Sequence, residues 1–92
     1  VIVDWRRIVV RLRPPDVATY LRSRNWTRIG DYGDGAGSLW IYRNRNGEEA
    51  EILLPEDREL RDYVQRIREL IKTLEIVENR PAEAIVYDMI KK

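Results

Sequence analysis

The chain contains neither histidine nor cysteine. Imidazole proton shuttles, thiolate nucleophiles, disulfides and the usual zinc sites are therefore excluded. The chemistry that remains belongs to carboxylates, tyrosines and arginines. Sixteen Asp and Glu could be paired as general acid and base, but those of residues 56–78 alternate with arginines on the polar side of a helical pattern, where water solvates them. A histidine-free ribonuclease site would draw on Tyr32 or Tyr42 with Arg43, and no spacing singles it out. Asp31 and Asp34 flank a glycine-rich stretch, Gly33-Asp34-Gly35-Ala36-Gly37, that lacks the calcium-loop spacing with its closing Glu. A phosphate cradle would lead from a strand into a helix; here a second strand pattern follows, so the stretch reads as a hairpin loop. The expectation is a protein with no catalytic residue, no metal and no cofactor.

The arginines are the more informative set. There are fourteen against three lysines, and a guanidinium is a planar fork suited to carboxylate or phosphate. The net charge of +1 hides an asymmetry: residues 1–28 hold seven arginines against Asp4 and Asp16, and residues 47–80 hold ten acids against six bases. Arg22, Arg24, Arg28, Arg43 and Arg45 are the candidates for nucleic-acid contact. The alternative is pairing of the basic block with the acidic one, in the same fold or in a second copy. Pairing is favoured, because a nucleic-acid binder keeps its basic face free of a matching acidic block.

The elements that must position these residues follow from punctuation and periodicity. Ninety-two residues set the expectation of a single α+β domain over 1–92. Residues 1–13 read either as a strand with Ile8, Val10 and Leu12 on one face or as a short helix capped by Asp4. Pro14 and Pro15 end that segment and start a helix running to about Arg24, with Val17, Tyr20 and Leu21 buried and Asn25 as a left-handed stop. Trp26–Tyr32, Ser38–Arg43 and Glu49–Leu54 read as an antiparallel meander, with Asn46-Gly47 in a tight turn where both residues take positive φ. A long helix is expected from Glu56 to about Glu78, its stripe formed by Leu60, Tyr63, Val64, Ile67, Leu70, Ile71, Leu74 and Val77. Asp57 with Arg61 and Asp62 with Arg66 stand at i, i+4, each contributing about 0.3 kcal/mol. Asn79 stops this helix. Pro81 opens a last one over 80–91, burying Ala82, Ile85, Val86, Met89 and Ile90.

The middle strand carries Trp40 and Tyr42 on one face and Leu39 and Ile41 on the other, so it is apolar on both. Helices on one side of a meander leave the second face in need of a cover. Residues 1–13, a second copy, another domain or a partner protein would serve, which makes Leu39, Ile41 and Leu53 the partner-interface candidates. Base stacking on Trp40 or Tyr42 is the nucleic-acid counterpart.

The order helix, three strands, helix, together with Asn25-Trp26, Gly37-Ser38-Leu39-Trp40-Ile41-Tyr42 and Leu53-Leu54-Pro55, resembles the HicA family of mRNA-cleaving toxins over about residues 16–75, within a core of residues 16–78. The resemblance implies the fold of the double-stranded-RNA-binding domain and a setting in a prokaryotic toxin–antitoxin or defence protein. That family's pattern is Gly-Ser-His followed by an aromatic residue three positions on, with the His catalytic. Gly37, Ser38 and Tyr42 match, and Leu39 stands in place of the His, so the scaffold is implied and the activity is not. The carboxyl half, Glu51-Ile52-Leu53-Leu54-Pro55 through Arg80-Pro81-Ala82-Glu83-Ala84-Ile85, is similar to ribbon-helix-helix DNA binders and antitoxins. Its strand departs from them in carrying Glu49 and Glu51. No signal or transit pattern is present at the start, and the expected address is cytoplasmic without a membrane span. The reading is a non-catalytic module for protein interaction or dimerisation, with nucleic-acid binding and a histidine-free ribonuclease as the alternatives.

Overall fold

Each of the four prolines stands at an element boundary. The computed structural model describes residues 4–91. It contains α1 (Trp5–Ile8), a 3-10 turn (Val9–Arg11), α2 (Pro14–Ser23), β1 (Thr27–Tyr32), α3 (Gly33–Ala36), β2 (Gly37–Arg43), β3 (Glu49–Pro55), α4 (Tyr63–Glu78) and α5 (Ala82–Lys91). The α+β architecture and the meander order β1-β2-β3, both antiparallel, are as expected. Residues 1–3 of the amino-terminal segment and residue 92 lie outside the described residues.

The amino-terminal segment is helical. The Asp4 carboxylate accepts the Arg6 N–H at 3.0 Å, capping α1. Its buried stripe is Trp5, Val9 and Leu12, at spacings of four and three, whereas Val10 is 48% exposed. The strand alternative, with Ile8, Val10 and Leu12 on one face, is therefore corrected. The segment packs beside α4 and α5, so it does not cover the free face of the sheet.

Helix α2 starts as its prolines require. Its third residue, Asp16, accepts the Arg13 N–H at 3.0 Å. Val17, Tyr20 and Leu21 are buried, and the chain leaves the helix through Asn25 at φ 69°. In the sheet, Trp40 stands opposite Arg28 and Ile52, while Leu39 stands opposite Gly30 and Leu53. Paired residues share a face. Trp40, Ile52 and Leu54 join the helices' apolar residues in the core, and Leu39, Ile41 and Leu53 are turned away from it. A bulge between Arg28 and Gly30 leaves Ile29 exposed.

Two connections differ from expectation. In the turn after β2 only Gly47 takes a positive φ, because the Asn44 side-chain oxygen accepts the N–H groups of Asn46 and Glu48, both at 2.9 Å, and Asn46 stays on the right-handed side. Helix α4 begins at Tyr63, not Glu56. Asp57 instead accepts the Glu59 N–H at 2.9 Å, a local bond that competes with helix formation and removes the expected Asp57–Arg61 spacing pair. Asp62 and Arg66 do pair, at 2.9 Å. The stripe Ile67, Leu70, Ile71 and Leu74 is buried inside the domain, so the heptad-like pattern serves the core and offers no free seam. Ile90 of α5, expected inside, is exposed.

Candidate binding surfaces

The face of the sheet away from the helices presents Leu39 and Ile41, half-buried, and Leu53, 42% exposed. Leu39 and Leu53 are direct cross-strand partners, and Ile41 sits between Thr27 and Glu51. The three residues singled out from the sequence are thus brought together. Two polar side chains close the row at the hairpin end, where Arg43 pairs with Glu49.

The five candidate arginines are dispersed. Arg43 is paired as described, and Arg45 is exposed in the β2–β3 turn. Arg24 leaves the end of α2, lies over the Tyr20 ring at 5.3 Å, and approaches Glu78 and Asp88 at 3.7 and 3.6 Å. Its neighbour there, Arg80, bonds Asp88 at 2.7 Å and the Tyr20 hydroxyl at 3.1 Å. Tyr20 in turn donates to Glu78 Oε1 at 2.7 Å, while Glu78 Oε2 is buried with no hydrogen-bond partner among the described residues. This cluster ties α2 to the α4–α5 corner. Arg24 thereby carries the expected pairing of basic with acidic block, whereas Arg13 and Arg28 find partners close by, in Asp16 and Asp31.

Burial, then the hydrogen bond to and charge of Glu78, push the Tyr20 phenol from 10.0 up to about 12. The folded state therefore holds this proton more tightly than the unfolded chain does. The associated stability is complete below pH 10 and is lost as the pH rises through about 12. Tyr20→Phe is expected to cost about 1–2 kcal/mol at neutral pH, since Glu78 loses a donor. The same variant should lose stability less steeply across the alkaline window, as measured by urea unfolding at a series of pH values.

Arg22 and Arg28 meet in a cleft on the helix side of the sheet, together with Arg13 and Arg58. Sequence reasoning missed the last two. Arg13 precedes the α2 prolines and Arg58 follows β3, so only the fold brings them to one place. The floor is Trp40, over whose ring Arg22 lies at 5.3 Å.

The ribonuclease candidates are not assembled. Tyr42 is on the helix side against Trp26, with ring centroids 5.5 Å apart, while Arg43 is its strand neighbour and points to the opposite face. Tyr32 pairs with Gly37 at the far end of β2. Trp40 is 1% exposed and cannot take a stacked base. Comparison with family models, curated proteins and solved structures finds no match. Among the described residues no cluster of acidic side chains could hold a metal ion, and no helix is long and apolar enough to cross a membrane.

Ser38 is fully buried and accepts the Trp40 indole N–H at 2.8 Å. It acts as a structural partner of the core tryptophan. The strand Glu51–Leu54 is paired along one edge with β2 and has Ile52 and Leu54 in the core. Its other edge pairs with no strand among the described residues.

Proposed function

We propose that this domain is a non-catalytic interaction module that docks a protein partner, in the first instance a second copy of itself, on the open face of its sheet. The observation that carries the reading is the row Leu39–Leu53 with Ile41 beside it, on the sheet face away from the core, with Leu53 at its margin bordering α4. A second copy fits because a two-fold axis sets the same patch against itself. The edge of this patch bears both charges, Arg43 on β2 and Glu49 and Glu51 on β3, so each copy offers the other a complementary rim. Supporting a non-catalytic role is Leu39, which occupies the place of the catalytic histidine in the resembled toxin family and has no proton to move. Dispersal of the candidate arginines weighs against a duplex-binding track.

Leu53→Glu is the direct test. Leu53 is already partly in water on an edge strand, so the change should alter the unfolding free energy by no more than about 1 kcal/mol. Sedimentation equilibrium should show a concentration-dependent dimer for the parent chain and a monomer for the variant. A parent chain that stays monomeric at millimolar concentration, or a variant that dimerises equally well, would refute self-docking.

A further inference from the structure

The arginine cleft lies on the other side of the sheet from the docking face and needs a separate account. Four arginines line it from separated points of the chain: Arg13 before α2, Arg22 on α2, Arg28 on β1 and Arg58 after β3. Converging cations repel, and an anion among them relieves that repulsion. Asp16 takes up Arg13 and Asp31 takes up Arg28, while Glu56 is the one acid in the lining. Arg22 and Arg58 have no carboxylate partner among the described residues.

These two arginines are held in place without an anion. Arg22 lies over the buried ring of Trp40, which fixes its plane. Arg58 is tethered through one nitrogen to the Val10 carbonyl at 3.0 Å, and makes no other side-chain hydrogen bond among the described residues. Such fixing lowers the ordering cost of binding. The start of α2 contributes no anion-binding amides, since Pro14 and Pro15 carry no N–H and the next two, of Asp16 and Val17, donate to the Arg13 carbonyl at 2.9 and 3.3 Å. Guanidinium groups alone must hold the charge.

We infer that this cleft, of about 700 Å³, binds a phosphate ester of mononucleotide size, with the phosphate held by Arg22 and Arg58 and the apolar part against Pro14, Pro15, Ala18 and Leu54. The volume falls within the range of small-molecule sites. Phosphate suits the pair better than carboxylate, because its several oxygens can be shared between two arginines, whereas one fork satisfies the two oxygens of a carboxylate. A discrete ligand is favoured over a strand because the other candidate arginines do not extend the cleft: Arg24 and Arg43 are ion-paired and Arg45 is in the turn after β2.

The test is a titration of the chain with adenosine 5′-monophosphate, followed by calorimetry, with citrate and a long single-stranded RNA in parallel. Saturable binding of the nucleotide is expected, weakened roughly tenfold by Arg22→Gln and by Arg58→Gln and unchanged by Arg45→Gln. Arg22→Lys should also weaken it, since the ammonium keeps the charge and loses the planar fork. Thermal unfolding of each variant separates lost binding from lost folding, and the exposed Arg58 carries the test if Arg22→Gln unfolds. Absence of saturation at millimolar nucleotide, equal weakening by Arg45→Gln, citrate binding as tight as the nucleotide's, or binding by RNA alone would each overturn the inference. None of these readouts depends on dimerisation through the opposite face.

Discussion

Trp40→Ala is expected to remove about 4 kcal/mol of stability, a large part of what a domain of this size possesses. Three costs combine. The indole is 1% exposed and sits between the sheet and α2, so its loss leaves a cavity that β2, paired on both sides, cannot close. Ser38 Oγ, also buried, loses the donor that reaches it at 2.8 Å and becomes an orphaned polar atom. Arg22 loses the ring over which it lies. Trp40→Phe separates these costs: it keeps most of the buried area but not the indole N–H, and should cost about 1–2 kcal/mol. Urea unfolding of the two variants, read through the midpoint at constant slope, checks both values.

Gly37→Ala is expected to cost about 3 kcal/mol, a large penalty for one methyl group. Gly37 is in extended conformation, φ −174°, which any residue adopts, so the reason is steric. A β-carbon there would overlap the Tyr32 ring and lie 2.6 Å from the Leu54 carbonyl oxygen. The ring can swing out into solvent. The carbonyl cannot, because Leu54 is paired with Ser38 and its side chain is in the core. Relief therefore requires β2 and β3 to part where they meet the Arg28 and Trp40 cleft. The measurement is again urea unfolding, with Gly30→Ala as comparison, since a β-carbon at Gly30 meets nothing within 4 Å.

What could be read from the residues divides by range. The meander, α2, the long helix stripe and both asparagine stops, Asn25 and Asn79 with φ 69° and 53°, rest on patterns within a few residues, and these were legible. The start of α4 was not. Apolar spacing at Leu60 and Tyr63 continues back beyond the helix, while the Asp57 side chain bonds the backbone locally and holds residues 57–59 in a turn. The amino-terminal segment was ambiguous because alternation at Ile8, Val10 and Leu12 and helical spacing at Trp5, Val9 and Leu12 are both present in so short a stretch. Tertiary burial chose the latter. The open apolar face of the sheet was legible through the two-sided apolar strand. The arginine cleft was only half so, since Arg58 reaches it from beyond β3.

The amino-terminal segment also bears on the order in which the chain can fold. Arg68 of α4 donates through two nitrogens to the Arg6 carbonyl at 3.1 and 2.8 Å, and Tyr63 donates to the Leu12 carbonyl at 3.1 Å. These partners are separated by 62 and 51 positions. The amino-terminal segment thus finds its partners in residues made more than fifty positions after it. Until α4 and α5 have emerged, Trp5, Val9 and Leu12 have no helix to bury them, while the meander can already pair. Burial of this apolar stripe therefore waits on a helix more than fifty positions further along, which makes its packing a late step of folding relative to the meander.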